Sequence, residues 1–588
     1  MSGSAPAPLL PAAAPAPAPP RPPGRRAVLM AGGGLATAAA GGGLGLWAGP
    51  ARPAAAHRPV IRPLAPVRPA QPAGRGPYTA GTTLETVAAP RGTGGYRRLA
   101  DGPGWQRVVR TDLAAGHPAR AGRRTALAAF VQITDLHLCD AQSPLRVEYL
   151  RAADTGTWRP QEALSVAGAA ALVERVNALP GGPATGHDLS CVITTGDNCD
   201  NNERVELDWF LTVMNGGRVV PDTGAAGVYE GVQASGLPLY WQPDAALRDH
   251  DKRLGFPRVP GFLDAAVRPV DTPGLRLPWY STAGNHDGLV SGCFALGGAS
   301  FGAVATGTRK LEEVTPAEAA KVLAAAGAGR EVRGELLRDL YEAHRRDLRT
   351  VTADPRRALF TREEYLAAHL DPAHTGPGPV GHGYTAANLA DGHLHYAFRL
   401  AEGVLGVSLD TTDRAGDSPG SVGTAQLAWL DAVLTGAADQ HVIVFSHHTG
   451  RTMTNTRPDP ERPGEKRHTG AEVLDVLGRH RNVRAWINGH VHANEIRARD
   501  GFWEISTASH VDHPQLARVV ELADNHDGTL SLFTTLVESA APHRTDFTDL
   551  STTGLASLYR EISFNRPGGS TTSTGRPTDR NTELLLRR

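Results

Sequence analysis

Along this 588-residue chain, short apolar runs end repeatedly on small clusters of Asp, His and Asn, and that pattern constrains the fold more than any other feature. The runs Ala128–Thr134, Leu189–Thr195, Trp279–Ala283, Val404–Leu409, Val442–Ser446, Val483–Asn488 and Phe502–Thr507 read as buried strands. Five of them lead into Asp135-Leu136-His137, Gly196-Asp197-Asn198, Gly284-Asn285-His286-Asp287, His447-His448 and Gly489-His490-Val491-His492. Helical patterns at Glu162–Leu179, at Thr424–Leu434 with Thr424 as cap, and at Glu472–His480 separate several of the runs, so the chain predicts an α/β layered sandwich. Ligands of open α/β sheets bind at strand ends, so five clusters far apart in sequence are expected to converge.

Carboxylate oxygen, imidazole nitrogen and amide oxygen together suit divalent Mn, Fe or Zn, and the absence of a thiolate from all five clusters speaks against a structural zinc finger. Single motifs are weak signals, as the chain itself demonstrates. Asp391-Gly392-His393-Leu394-His395 repeats two of the patterns and Asn525-His526-Asp527 a third. The first lies in an expected strand, Asp391–Leu400, and the second in an expected hairpin turn between Leu516–Leu522 and Thr529–Leu536.

Taken in order, D-x-H, G-D, G-N-H-D, H and G-H-x-H across Asp135–His492 resemble the calcineurin-like metallophosphoesterase superfamily. The resemblance implies a four-layer α/β/β/α sandwich of two mixed sheets with long insertions. It implies a first metal held by Asp135, His137, Asp197 and His492, and a second held by Asp197, Asn285, His447 and His490. Two divalent ions about 3.5–4 Å apart need a shared carboxylate, here Asp197, and together they make hydroxide available from a bound water near neutrality. His286 is expected to face substrate as a general acid, with Asp287 orienting it. The implied reaction is hydrolysis of a small phosphomonoester or phosphodiester. The alternative is a metal-binding sensor or cell-surface protein of the same fold without turnover, against which His286 and Asp287 count.

Asn198, Asp200 and His448 adjoin these positions. They either orient ligands or, for Asn198 and Asp200, cap the next helix. Thr449 follows His448 where the superfamily often has proline. Cys139 and Cys199 each lie two residues beyond an expected ligand, so a bridge between them is one reading and free buried thiols the other. His510 and His513 either touch substrate or belong to a turn.

Residues 1–56 read as a Pro-rich tail followed by a twin-arginine export signal, with Arg25-Arg26, an uncharged stretch to Gly49 and Ala54-Ala55-Ala56 as cleavage site. Export to the cell envelope or beyond is expected, with membrane attachment only if that segment stays uncleaved. Residues 57–125 predict a small β-type lead-in with a strand near Thr82–Val87. A domain over 126–540 follows, with insertions at about 215–278 and 288–400, the second holding a helix opened by Thr315-Pro316-Ala317-Glu318. The extension 541–588 predicts one short helix, Leu555–Ile562, and then a Gly/Ser/Thr-rich linker. With 60 basic against 60 acidic residues, the chain offers no field for a nucleic-acid backbone.

Overall fold

A computed structural model describes residues 61–62, 77–297 and 300–588. The proposed export signal lies outside them. Every apolar run singled out above overlaps a strand of one of two seven-stranded sheets. In chain order the strands are β1 (Ile61–Arg62), β2 (Val108–Arg110), β3 (Thr125–Ile133), β4 (Val192–Thr195), β5 (Trp279–Thr282), β6 (Tyr396–Ala401) and β7 (Val404–Ser408). They continue as β8 (His441–Phe445), β9 (Val483–Asn488), β10 (Glu495–Ala498), β11 (Trp503–Ser506), β12 (Leu516–Asp524), β13 (Thr529–Glu538) and β14 (Thr582–Arg587). The first sheet runs β2-β14-β13-β12-β3-β4-β5 and the second β1-β6-β7-β8-β9-β11-β10.

Both sheets are mixed. In the first, β3, β4 and β5 are parallel and β12 joins β3 antiparallel. In the second, β7, β8, β9 and β11 are parallel, flanked by antiparallel β6 and β10. Parallel strands are covered on both faces, which is why they read as unbroken apolar runs. The sheets share one core, where Phe130 of β3 meets Phe445 of β8 edge to face with ring centres 5.6 Å apart. Leu405, Val407, Val442, Val444 and Trp486 of the second sheet pack instead with Leu430, Val433, Val473 and Leu477 of helices Thr424–Gly436 and Gly470–Arg479.

Polar ties also cross between the sheets just beneath the strand ends. Gln132 of β3 donates to the Asn488 carbonyl at 3.0 Å and accepts from the Thr507 hydroxyl at 2.6 Å. Thr282 and Ser408 hydroxyls bond at 2.8 Å. These contacts fix the relative height of the two sheets where the clusters emerge.

The insertions have cores of their own. Trp241, Phe256 and Phe262 of the first pack with Leu555, Leu558 and Ile562 of helix Thr552–Asn565. In the second, Thr315 and Glu318 form the expected capping box of helix Pro316–Gly327. Some expectations are corrected. The early strand is Thr86–Arg91, paired with Arg98–Pro103, because Thr82 to Glu85 form a turn closed by the Thr82 carbonyl. Gly423, not Thr424, caps its helix, and the Thr424 hydroxyl bonds His468 instead. The tail read as a linker ends in β14, whose Leu584 and Leu586 are buried between β2 and β13. Among the described residues, no helix is long and apolar enough to cross a membrane.

Candidate metal centre

The ends of β3, β4, β5, β8 and β9 deliver the five clusters to one place. Possible ligand atoms of Asp135, His137 and His492 lie within 4.8 Å of one another, as do those of Asp135, Asp197 and His447. His492 Nε2 is 3.2 Å from Asp135 Oδ1, and Asp197 Oδ2 stands 3.1 Å from His447 Nε2 and 3.5 Å from His137 Nε2. His490 Nδ1 faces His447 Nε2 at 3.2 Å. Asn285 donates its amide N–H to the Gly292 carbonyl at 3.0 Å, and its Oδ1 is buried without a hydrogen-bond partner. His137 Nε2 and His490 Nε2 are orphaned in the same way. Unpaired buried polar atoms are costly, and three of them on one cluster of metal-ligating groups fit a site built to hold divalent cations.

The local backbone is shaped for this. Asp135, His137, Asp197, His490 and His492 all have positive φ, between 44° and 65°. Such conformations cost free energy in non-glycine residues and persist where the surroundings over-determine them. Sharp turns at the strand ends thereby bring alternate side chains to one side. The motif glycines make room: a Cβ on Gly284 would lie 2.2 Å from Asp197 Oδ1, and one on Gly489 would lie 2.4 Å from Asp135 Oδ2.

A second set of groups orients the candidate ligands. His137 Nδ1 bonds Asp200 at 2.8 Å, His492 Nδ1 bonds Asp512 at 2.8 Å, and His447 Nδ1 donates to the Thr195 carbonyl at 2.8 Å. Carboxylate–histidine pairs of this kind fix the tautomer and present the other nitrogen to a metal. Asp200 therefore orients a ligand, and Glu203, with Glu206, caps the helix at Arg204–Asn215. Asp512 was not singled out in the sequence. Its signal was present, since His510-Val511-Asp512-His513 follows the end of β11 as the other clusters follow theirs. His510 sets its ring beside Tyr559, centres 5.9 Å apart, while its backbone N–H donates to the Thr134 and Asp135 carbonyls at 3.2 Å. His513 packs its ring against Phe564.

One assignment changes. Asp287 accepts from the backbone N–H groups of Asn198, Cys199 and Gly284 at 2.8–3.2 Å, so it pins the Asp197 loop. His286 is oriented instead by the Asp200 carbonyl, 2.6 Å from its Nδ1. The two readings of the thiols are decided in favour of the free form: all four cysteines are unpaired. Cys139 receives an N–H from Arg146 and packs with the insertion core, whereas Cys199 belongs to the core between the sheets. His448 has both ring nitrogens bonded, to the Thr411 hydroxyl at 2.8 Å and the Ser418 carbonyl at 2.9 Å, so it buttresses His490. The repeated motifs at His393, His395 and His526 join none of the candidate metal groups among the described residues.

The electrostatics match a cation site. Burial pushes the Asp197 carboxyl up, but facing His447 and His286 outweigh it and hold it well below the ordinary range. Burial, then the neighbouring His448 and His447, keeps His490 well below its usual value and so neutral. Burial likewise lowers His286. The pocket thus presents anionic oxygens and, at His490 and His286, neutral imidazole nitrogens, whereas facing carboxylates outweigh burial to raise His447 to about 9 and to raise His492, whose protons a bound metal would displace.

No family model and no curated protein sequence matches the chain. Similar solved structures include a dimetal phosphatase from Danio rerio, 13% identical, covering 71% of this chain and 100% of that one with a TM-score of 0.33. A purple acid phosphatase from yellow lupin seeds is 9% identical over 76% of this chain and 55% of that one, with a TM-score of 0.26. The anchor in the inner membrane complex of Plasmodium is 8% identical over 74% of this chain and 95% of that one, with a TM-score of 0.24. At TM-scores this low the likeness adds no weight to the geometry. The resemblance to the calcineurin-like metallophosphoesterases stands on the order of the chain's own motifs and on where their side chains meet.

Proposed function

We propose that the protein is a calcineurin-like phosphoester hydrolase that works with two divalent metal ions on a small phosphomonoester or phosphodiester. The observation that carries this reading is the meeting of Asp135, His137, Asp197, His447, His490 and His492 at one point, beside an Asn285 oxygen that has no protein partner. When bound, two such ions supply Lewis acidity and a nucleophile drawn from water. Asp135, His137, Asp197 and His492 would hold one, and Asp197, Asn285, His447 and His490 the other. Asp197 stands between the two histidine sets and would offset the repulsion of neighbouring cations.

His286 supports the chemistry from beside the pocket, its ring 4.5 Å from that of His137. With Nδ1 committed to the Asp200 carbonyl, it exchanges protons only through Nε2. Burial keeps that nitrogen unprotonated in the free protein, and an arriving phosphoryl anion favours the proton that is then passed to the leaving oxygen. The insertions would choose the rest of the substrate, and the absence of a basic excess argues against nucleic acid. Action outside the cytoplasmic membrane belongs to the same proposal and rests on Arg25-Arg26 and the segment to Ala56.

The test is a panel of chromogenic phosphomonoesters and phosphodiesters, run on chelator-stripped protein and again after adding Mn. Turnover that disappears with the metal and returns with it supports the hydrolase. Full metal occupancy with no turnover on any substrate would move the reading to a metal-binding sensor.

A further inference from the structure

The two carboxylates that orient His137 and His492 share a third partner. Arg159 reaches Asp512 Oδ1 through Nε at 3.3 Å and Asp200 Oδ1 through Nη1 at 3.5 Å. Both contacts are long, and neither carboxylate depends on them. Asp200 already accepts from Arg146 at 2.5 Å, and Asp512 from Arg566 at 2.8 Å. Arg146 and Arg566 are sealed in, with side chains 6% and 2% exposed, and Arg146 is further committed to Glu162 at 2.6 Å. Arg159 is the exposed member of the three at 19%.

Its position is telling. Asp200 Oδ1 lies 3.5 Å from Arg159 Nη1 and 3.8 Å from His286 Nδ1, so the guanidinium and the imidazole expected to face substrate flank one carboxylate oxygen. Arg159 thus lies, by two long contacts, beside the carboxylates that stand behind His137 and His492. A guanidinium presents a rigid fork of donors suited to phosphate oxygens, and Nη2 of Arg159 has no protein acceptor among the described residues.

We infer that Arg159 is a substrate-binding residue that contacts a non-bridging oxygen of the phosphoryl group beside His286. The inference rests on the two-metal reading above and deepens it: a cation added to the metals favours the dianionic phosphomonoester over the monoanionic diester. No covalent step is assigned to Arg159.

The probe is inorganic phosphate, titrated by calorimetry into metal-loaded full-length protein, alongside kinetics on one monoester and one diester. Arg159→Met is expected to weaken phosphate binding and raise the monoester KM by roughly 10- to 100-fold, with a smaller rise for the diester. Metal content and melting temperature should stay at wild-type levels, because Asp200 and Asp512 keep Arg146 and Arg566. Arg159→Lys, which keeps the charge and loses the fork, should fall between, and it carries the test if the Met variant does not fold. Unchanged phosphate affinity at full metal content overturns the inference. So does a loss of metal that accounts for the whole effect, since Arg159 would then act only through the carboxylates. A wild-type protein that loads metal but neither binds phosphate nor turns over overturns the hydrolase reading itself, whereas active wild type with indistinguishable Arg159 variants overturns only this inference.

Discussion

Gly489 is the residue whose replacement most directly tests the convergence. It precedes His490 and lies against Asp135, so that a methyl group on it would stand 2.0 Å from Thr134 Oγ1 and 2.4 Å from Asp135 Oδ2. Ordinary contact begins near 3.4 Å, so the Asp135 carboxylate has to withdraw by about 1 Å. Both clashing atoms belong to side chains, which leaves the backbone of β9 free to stay in place. The Thr134 hydroxyl, which donates to the same carboxylate at 2.6 Å, must turn away as well. A misplacement of about 1 Å in a reacting constellation costs roughly 10²-fold in rate, or about 2.7 kcal/mol of barrier. Gly489→Ala should therefore fold with a melting temperature near wild type while losing about two orders of magnitude in kcat/KM and part of its metal. Gly464→Ala is the control, since a Cβ there meets nothing within 4 Å. Metal content by plasma mass spectrometry and initial rates on a monoester decide the matter. Wild-type metal and wild-type rate in Gly489→Ala would refute the placement of Asp135 in the centre.

Four further outcomes are expected. Asp197→Asn removes the carboxylate between His137 and His447 and should abolish turnover with little change in melting temperature; full metal and full rate would refute the bridging role. Asp512→Asn should weaken metal affinity roughly 10- to 100-fold in a competition titration, because His492 loses its charged partner, and an unchanged affinity would leave Asp512 without that role. Gln132→Leu breaks the ties to Asn488 and Thr507 and should cost on the order of 2–3 kcal/mol in denaturant unfolding; a neutral substitution would show that apolar packing alone sets the sheets. Burial, with a neighbouring histidine adding to it for His369, lowers His369 to about 3 and His382 to about 4, far below their common unfolded value near 6.5. The unfolded chain thus binds more protons between those values, so stability is fully present above about pH 6.5 and falls as pH drops toward 4, by on the order of 3 kcal/mol per histidine. A shift in denaturant midpoint between pH 7.5 and 5 that is the same in wild type and in a His369→Phe/His382→Phe variant would contradict this.

The part of the centre that could be read from sequence is the part that local geometry dictates. A ligand at positive φ directly after a strand, with glycine beside it for room, leaves the marks G-D, G-N-H-D and G-H-x-H. The strands were legible for a similar reason, since coverage on both faces demands unbroken apolar runs. Roles fixed by tertiary packing left no such marks. Nothing near Gln132 indicates that its amide spans two sheets, and Asp512 looks like any acid in a turn until His492 is placed against it. The resemblance pairs Asp287 with His286, yet Asp287 accepts from the backbone of the Asp197 loop and His286 is held by the Asp200 carbonyl. The short β14 was hidden by the Gly/Ser/Thr-rich stretch before it, because only pairing with β2 and β13 makes Thr582–Arg587 a strand.

The segments that look like decoration turn out to brace the centre. Arg566 comes from the C-terminal region and seals Asp512, which holds His492. Arg146 comes from the long connection after β3 and grips Asp200, which holds His137. The Gly292 carbonyl, at the start of the second insertion, turns the Asn285 amide so that its oxygen stays available. His492, His137 and Asn285 therefore each depend on a residue whose position is set by a different part of the chain. A site assembled this way allows the insertions to vary only where they do not touch Asp200, Asp512 or Asn285, and the freedom to choose a substrate lies in their outer surfaces rather than in the bases that support the metals.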